Sequence, residues 1–195
     1  MTNDFGLAIQ KLDIRGKTMT EKSLVVRAEA FARLHHEGQF RKGEAAEPYI
    51  THVAEVASLV SELGGDEIAQ SGAWLHDVVE DCAPTLFDIE REFGVDVAKV
   101  VSEVTDDKAL EKSERKMRQV ETAVNKSERA ALIKWADKTS NLTAIAKSPP
   151  PWTRERKREY INWACRVTER LPYRPRRAEE LFNAAVDEAK KSINT

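Results

Sequence analysis

Thr51-His52-Val53-Ala54-Glu55-Val56-Ala57-Ser58-Leu59-Val60-Ser61-Glu62-Leu63 is the stretch that decides the fold. Its apolar positions Val53, Val56, Ala57, Val60 and Leu63 return every three or four residues, which gathers them on one face of an α-helix. Thr51 is read as the N-cap and Gly64-Gly65 as the stop. Outward from it the same interval continues in Lys22 to His36, Asp66 to Val79, Asp96 to Val104, Ser127 to Lys147, Thr153 to Leu171 and Arg176 to Ile193. Pro84-Thr85 opens a further helix through Leu86, Ile89 and Phe93, which Gly94 ends. Ser148-Pro149-Pro150-Pro151 closes the helix that begins at Ser127, because proline lacks the amide hydrogen a helix needs. Two-residue alternation is nearly absent, so the expected fold is all-α, a bundle of about eight to ten helices.

Two segments stand outside this pattern. Gly38-Gln39-Phe40-Arg41-Lys42-Gly43-Glu44 is a polar, glycine-bearing loop expected to line something. From Thr105 to Arg118, lysines and arginines are interleaved with acids, as either a solvated helix face or a phosphate-facing loop. The chain has 195 residues, enough for one substantial core and few for two ordinary domains. Met1 to Thr18 carries little periodicity and is expected to be a flexible tail, with residues 19–195 forming one domain; Met19 is a second possible start. With 41% hydrophobic and 33% charged residues the chain is too apolar for disorder and too charged for a membrane protein. No apolar run approaches the roughly 20 residues of a membrane span, and no apolar leader opens the chain, so a cytoplasmic location is expected. A net charge of −2 creates no global field for nucleic acid or an acidic membrane. Cys82 and Cys165 form no C-x-x-C pair, so free thiols are expected rather than a disulfide or a thiolate zinc site.

The chemistry concentrates in Leu75-His76-Asp77-Val78-Val79-Glu80-Asp81, an imidazole and three carboxylates on an otherwise apolar helix. Ala73, Trp74, Leu75, Val78 and Val79 imply burial, and buried carboxylates are costly unless paired or metal-bound. His76 and Glu80, four apart, should share a helix face. A His-Asp dipeptide alone is common. His52 at a helix start and Asp137 within Leu132-Ile133-Lys134-Trp135-Ala136 are polar residues in apolar settings, although His52 could simply cap its helix and Asp137 could pair with Lys134 or Lys138 at the surface. Two imidazoles and two carboxylates together suit manganese, iron, zinc or magnesium, with mixed nitrogen and oxygen ligation leaning toward manganese.

The ordered segments resemble the hydrolase domain of the Rel/Spo homologue family, which is an HD domain. The resemblance is carried by Gly38-Gln39-Phe40-Arg41-Lys42, Pro48-Tyr49-Ile50-Thr51-His52, Leu75 to Asp81, Phe93-Gly94, Val104-Thr105-Asp106-Asp107-Lys108 and Ala136-Asp137-Lys138 with Asn141. It spans residues 22–185, and Glu114-Arg115-Lys116, Glu159-Tyr160 and Trp163-Ala164 are most similar to the small stand-alone alarmone hydrolases of the animal type. The resemblance implies metal ligation by His52, His76, Asp77 and Asp137, with Mn²⁺ the usual ion and other divalent cations possible. It implies catalysis by Glu80 and Asp81, and substrate binding by Arg41, Lys42, Lys108, Arg115, Asn141 and Tyr160. His35 and His36 fall outside the implied ligand set, and one of them is expected to be structural.

The implied reaction removes the 3′-pyrophosphate of guanosine tetra- and pentaphosphate, (p)ppGpp, leaving GDP or GTP. Glu80 would position or deprotonate the attacking water, with Asp81 orienting it or serving the leaving group. Val53 stands where the family commonly has proline, and Thr139-Ser140 where it has a bulkier pair, which bears on substrate preference. Cys82 stands where relatives commonly carry threonine, a passive substitution or a redox-sensitive thiol. Trp135, Trp163 and Phe182 lie on apolar helical faces and are assigned to core packing rather than base stacking. The alternatives are an HD phosphohydrolase acting on an adenosine alarmone or on the 2′-phosphate of NADPH, or a helical module that binds alarmones without turnover. A small-molecule nucleotide is the expected partner, without nucleic acid or membrane, and monomer and homodimer are both open.

Overall fold

In the computed structural model, which describes residues 22–194, the chain folds into ten α-helices and a 3₁₀ turn, with no strand among the described residues. The expected tail Met1–Thr18 lies outside the described residues. Helix α1 (Leu24–His35) is capped by the Ser23 hydroxyl, and α2 (Ile50–Glu62) carries the diagnostic face, with Val53, Val56, Ala57 and Val60 buried. Thr51 is not its N-cap. The N-cap is Tyr49, two residues earlier, and the amide and hydroxyl of Thr51 both donate to the Pro48 carbonyl, at 3.0 and 2.8 Å.

The expected helix from Asp66 to Val79 is broken. Helix α3 (Glu67–Leu75), capped by Asp66, stops at His76, and a short α4 (Val78–Asp81) restarts after Asp77. At the break the Ala73 carbonyl accepts from His76 Nδ1 at 2.7 Å. Helix α5 (Leu86–Phe93) starts in a reciprocal Thr85–Asp88 capping box. Gly94, at φ 89°, turns the chain directly into α6 (Val95–Val104), a left-handed conformation that glycine adopts without steric cost. The charged stretch divides: 105–111 is loop, and α7 (Lys112–Thr122) follows, leading through a 3₁₀ turn at Ala123–Asn125. Helices α8 (Glu128–Lys147), α9 (Arg154–Thr168) and α10 (Arg176–Asn194) complete the order, α8 and α9 capped by Ser127 and Thr153.

Apolar side chains form two cores with α8 between them. Ala28, Val53, Leu75, Ile89 and Val101 pack with Ala130, Ile133 and Ala136 on one side of α8. Leu142, Ile145 and Trp135 pack with Ile161, Val167 and Phe182 on the other. A fully buried aliphatic or aromatic side chain contributes about 1.5–3 kcal/mol, so a helix buried on both sides is among the most firmly held elements. Gly72 lets α3 approach closely: a Cβ there would lie 2.9 Å from Val100 Cγ1 and 3.2 Å from Ile133 Cδ1. Because α8 is committed to both cores, polar residues midway along it are fixed in the interior, and Asp137 and Ser140 are there. The Gly38 to Glu47 loop is closed on itself by the Arg41 amide on the Glu47 carbonyl and the Tyr49 amide on the Gln39 carbonyl, both 2.8 Å. No helix among the described residues is long and apolar enough to cross a membrane.

Candidate metal centre and active site

Helix α2, the α3–α4 break and the middle of α8 bring together His52, His76 and Asp137, all buried, with one donor atom of each within 4.8 Å of the others. Asp77 borders this group: its Oδ2 lies 3.1 Å from His76 Nε2 and 3.6 Å from His52 Nε2, and accepts from the Tyr49 hydroxyl at 2.5 Å. His52 Nε2 is also 3.6 Å from Asp137 Oδ1. The helix break serves this geometry, since it turns both His76 and its neighbour Asp77 toward one point.

The surrounding hydrogen bonds orient both rings for ligation. Ser140 Oγ donates its single proton to Glu55 Oε2 at 2.6 Å, so the 2.9 Å contact with His52 Nδ1 requires the proton on that nitrogen. His76 Nδ1 likewise donates to the Ala73 carbonyl. In their neutral forms both rings then present the Nε2 lone pair to the cluster, and His76 Nε2 is buried with no hydrogen-bond partner. Burial pushes the His52 imidazole down to about 4, against the pull of Asp77. Burial also acts downward on His76, but the carboxylates of Asp77 and Asp137 outweigh it and raise the ring to about 9. Burial raises both carboxyls, yet their cationic neighbours prevail: Asp77 falls well below the carboxylate range, and Asp137 falls to about 2, chiefly through Lys138. The pocket is therefore built to hold positive charge against two ionised carboxylates, and a mixed set of imidazole nitrogens and carboxylate oxygens fits a divalent cation.

Asp137 does pair with Lys138, at 2.9 Å, but in the interior rather than at the surface, while Lys134 Nζ donates to the Val104 carbonyl. Lys138 Nζ sits 4.3 Å from the Trp163 ring centre. Asn141 Nδ2 donates to Asp137 Oδ1 at 2.6 Å, so this residue supports the carboxylate as well as lining the cavity.

Glu80 and Asp81 lie on α4, immediately beyond the cluster. Burial and the nearby Asp106 raise the Glu80 carboxyl, while the Asp106 amide donates to its Oε2 at 3.2 Å. Lys108 bridges the pair, 2.7 Å from Asp81 and 3.7 Å from Glu80, and Arg115 is 3.8 Å from Glu80.

A cavity of about 560 Å³ opens from this corner. Arg41, Lys42, His52, Asp81, Asn141 and Tyr160 line it, with Gln39, Phe40, Tyr49 and Trp152. Lys108 and Arg115 do not; they sit behind Glu80 and Asp81, and Arg115 lines a second, smaller cavity. Reasoning from sequence overlooked Tyr49, Ser140, Glu55 and Trp152. Tyr49 gave a signal through its place in the Pro48 to His52 segment, and Ser140 only as part of the Thr139-Ser140 departure from the family pattern. His36 is buried, with Nδ1 2.8 Å from Gln39 Oε1 and 3.4 Å from Cys82 Sγ, which makes it the structural one of the two adjacent histidines. Burial pushes the Cys82 thiol up, the opposite of an activated thiolate. Trp135 and Phe182 pack edge to face in the second core, whereas Trp163 is half-buried against Lys116 and Lys138 at the wall of the second cavity.

A family model described as HD domain matches residues 28–163. Guanosine-3′,5′-bis(diphosphate) 3′-pyrophosphohydrolase MESH1 of Drosophila melanogaster is 44% identical over 72% of this chain and 80% of its own length. Human MESH1 is 40% identical over 83% of this chain and 92% of its own. The Escherichia coli bifunctional (p)ppGpp synthase/hydrolase SpoT is 36% identical over 72% of this chain but only 20% of its own length. Among solved structures, one described as a metazoan ortholog of SpoT that hydrolyzes ppGpp superposes with a TM-score of 0.81 at 38% identity, covering 86% of this chain and 96% of that one. The chain belongs to the HD domain family and, within it, to the branch that includes the animal MESH1 proteins.

Proposed function

We propose that this protein is a divalent-metal-dependent hydrolase that removes the 3′-pyrophosphate of guanosine 3′,5′-bis(diphosphate) and of its 5′-triphosphate form, leaving GDP or GTP. The observation that carries this reading is the buried convergence of His52, His76 and Asp137, with Asp77 beside them and Glu80 and Asp81 next along the chain, in relatives of that named activity. His52, His76, Asp77 and Asp137 would hold the cation, with Mn²⁺ the ion assigned and other divalent ions compatible with the same mixed donor set. When bound, it supplies Lewis acidity that polarises the scissile phosphoryl group and acidifies a water near neutral pH.

The chain's own residues do the rest. Glu80, half-buried and with a raised carboxyl, takes the proton of the attacking water. Water adds to the phosphorus linked to the ribose 3′ oxygen, that P–O bond breaks, and the 3′ oxygen leaves with a proton as inorganic pyrophosphate is released. Asp81, held by Lys108, is placed to orient water or serve the departing oxygen. Arg41 and Lys42 neutralise phosphate oxygens in the cavity, while Asn141 and Tyr160 contact the nucleoside. Residues 19–195 act as one domain, in the cytoplasm.

A substrate panel with Mn²⁺-loaded protein tests this. Guanosine 3′,5′-bis(diphosphate) should yield GDP and pyrophosphate, and Asp77→Ala should abolish the release. The proposal fails if guanosine and adenosine 3′-pyrophosphates all remain intact, or if orthophosphate release from NADPH is the only turnover.

A further inference from the structure

Glu55 stands one turn from His52 on α2, half-buried, outside both the metal ligands and the catalytic pair. A single oxygen of its carboxylate meets two partners from different parts of the chain. Oε2 accepts the Ser140 hydroxyl of α8 at 2.6 Å and lies 3.6 Å from Arg41 Nη1, on the loop that precedes α2. Ser140 in turn meets His52 Nδ1 at 2.9 Å, and both residues are buried. One acceptor therefore serves the support of a metal ligand and a cation that lines the main cavity.

Each contact has a consequence for the ion. A hydroxyl can donate or accept, so Ser140 by itself is compatible with either tautomer of the His52 ring. If it donated to Nδ1, the ring proton would sit on Nε2, toward Asp77 and Asp137, and no lone pair would be left for a metal. An ionised carboxylate only accepts. By taking the Ser140 proton, Glu55 leaves the hydroxyl oxygen to receive from Nδ1, and Nε2 can ligate. Arg41 carries a charge of the same sign as the ion. Burial and the His76 ring are the larger downward pushes on the His52 imidazole, and Arg41 adds to them, so its charge is felt at the ligand. The Arg41 side chain is only 12% exposed, which leaves water little part in screening it, and the Glu55 carboxylate offsets it at close range.

We propose that Glu55 is a positioning residue for the metal centre: one carboxylate oxygen fixes the His52 tautomer through Ser140 and balances the Arg41 charge beside the ion. The inference rests on the metal-dependent reading of the site, and not on the identity of the nucleotide.

Glu55→Ala removes both effects, whereas Glu55→Gln keeps an oxygen for Ser140 and removes only the charge. Nuclear magnetic resonance of isotope-labelled histidine nitrogens in metal-free protein near neutral pH should show the His52 proton on Nδ1 in wild type and in Glu55→Gln. In Glu55→Ala a substantial share should move to Nε2. Calorimetric titration with Mn²⁺ should show affinity about 10–100-fold weaker in Glu55→Ala, the cost of losing an outer partner of a ligand, and a smaller loss in Glu55→Gln. Adding Arg41→Ala to Glu55→Gln should recover affinity, since the unbalanced cation is gone. A wild-type His52 tautomer with undiminished Mn²⁺ affinity in Glu55→Ala, Glu55→Gln as weak as Glu55→Ala, or no recovery from Arg41→Ala would overturn the proposal. If wild type binds no divalent ion, the metal-dependent reading falls, and the tautomer comparison still decides whether Glu55 sets the His52 ring.

Discussion

The two ends of the site are built on opposite principles. At the metal corner nearly every polar atom has a partner inside the protein: Ser140 and Glu55 behind His52, Ala73 behind His76, Tyr49 on Asp77, and Lys138 with Asn141 on Asp137. At the second cavity, Lys112 faces Arg156, Lys42 and Arg115, and Lys116 faces Lys112, Arg156 and Lys138 against Glu159, with Asp106 the acid in the lining. The first arrangement fixes geometry before anything binds, as a cation with strict ligand positions requires. The second gathers Lys112, Arg115, Lys116 and Arg156 from two helices around one cavity. Variants at the two ends should therefore fail differently.

The largest effect is expected at the closed end. His76→Ala removes a ligand and should lower metal affinity by more than the roughly 100-fold that loss of an outer supporting partner costs, with activity falling to background; calorimetric metal titration checks it. Glu80→Gln should keep the metal yet reduce kcat by about 10²–10⁴-fold, the range for a lost general base. Because burial and Asp106 raise the Glu80 carboxyl, wild-type kcat/KM should fall with acidification at a pH above the ordinary carboxylate range, and Glu80→Gln should lack that limb. Ser140→Ala leaves His52 Nδ1 and Glu55 without their shared partner and should weaken metal binding by about 10–100-fold while the fold persists. Far from both ends, Asp66→Ala removes the α3 cap and its bond to Arg129, and should lower stability by about 1 kcal/mol in denaturant titration. The Asp66 carboxyl is lowered chiefly by its bond to Arg129, so its charge contributes stability above the ordinary carboxylate range and loses it as pH falls through the lowered value. Asp66→Asn, which keeps a capping oxygen, should lose less.

The same contrast governs what the sequence disclosed. Helices were legible because Val53, Val56, Ala57 and Val60 repeat at the helical interval, and α8 ends where prolines forbid continuation. The α3–α4 break was not, because Ala73 to Val79 keeps an apolar, helix-forming composition and the interruption comes from a tertiary demand on His76. Within the site, His76 and Asp77 stood out as polar residues in an apolar run, and Asp137 did so on α8. Glu55 and Trp152 gave no signal, and Ser140 none for its role behind His52, since such residues occur on any amphipathic helix or loop and acquire meaning only when α2, α8 and the start of α9 are brought together. Lys112 and Arg156 were hidden for a related reason: they lie on α7 and α9, and only folding brings them to one cavity.

The most direct measurement adds Mn²⁺ stepwise to metal-free protein while following bound metal and pyrophosphate release from guanosine 3′,5′-bis(diphosphate) in the same samples. Pyrophosphate release should rise in proportion to occupancy and saturate at one ion per chain, with His76→Ala neither retaining the ion nor releasing pyrophosphate. Full turnover in the presence of chelator, or metal binding undiminished in His76→Ala, would contradict the account.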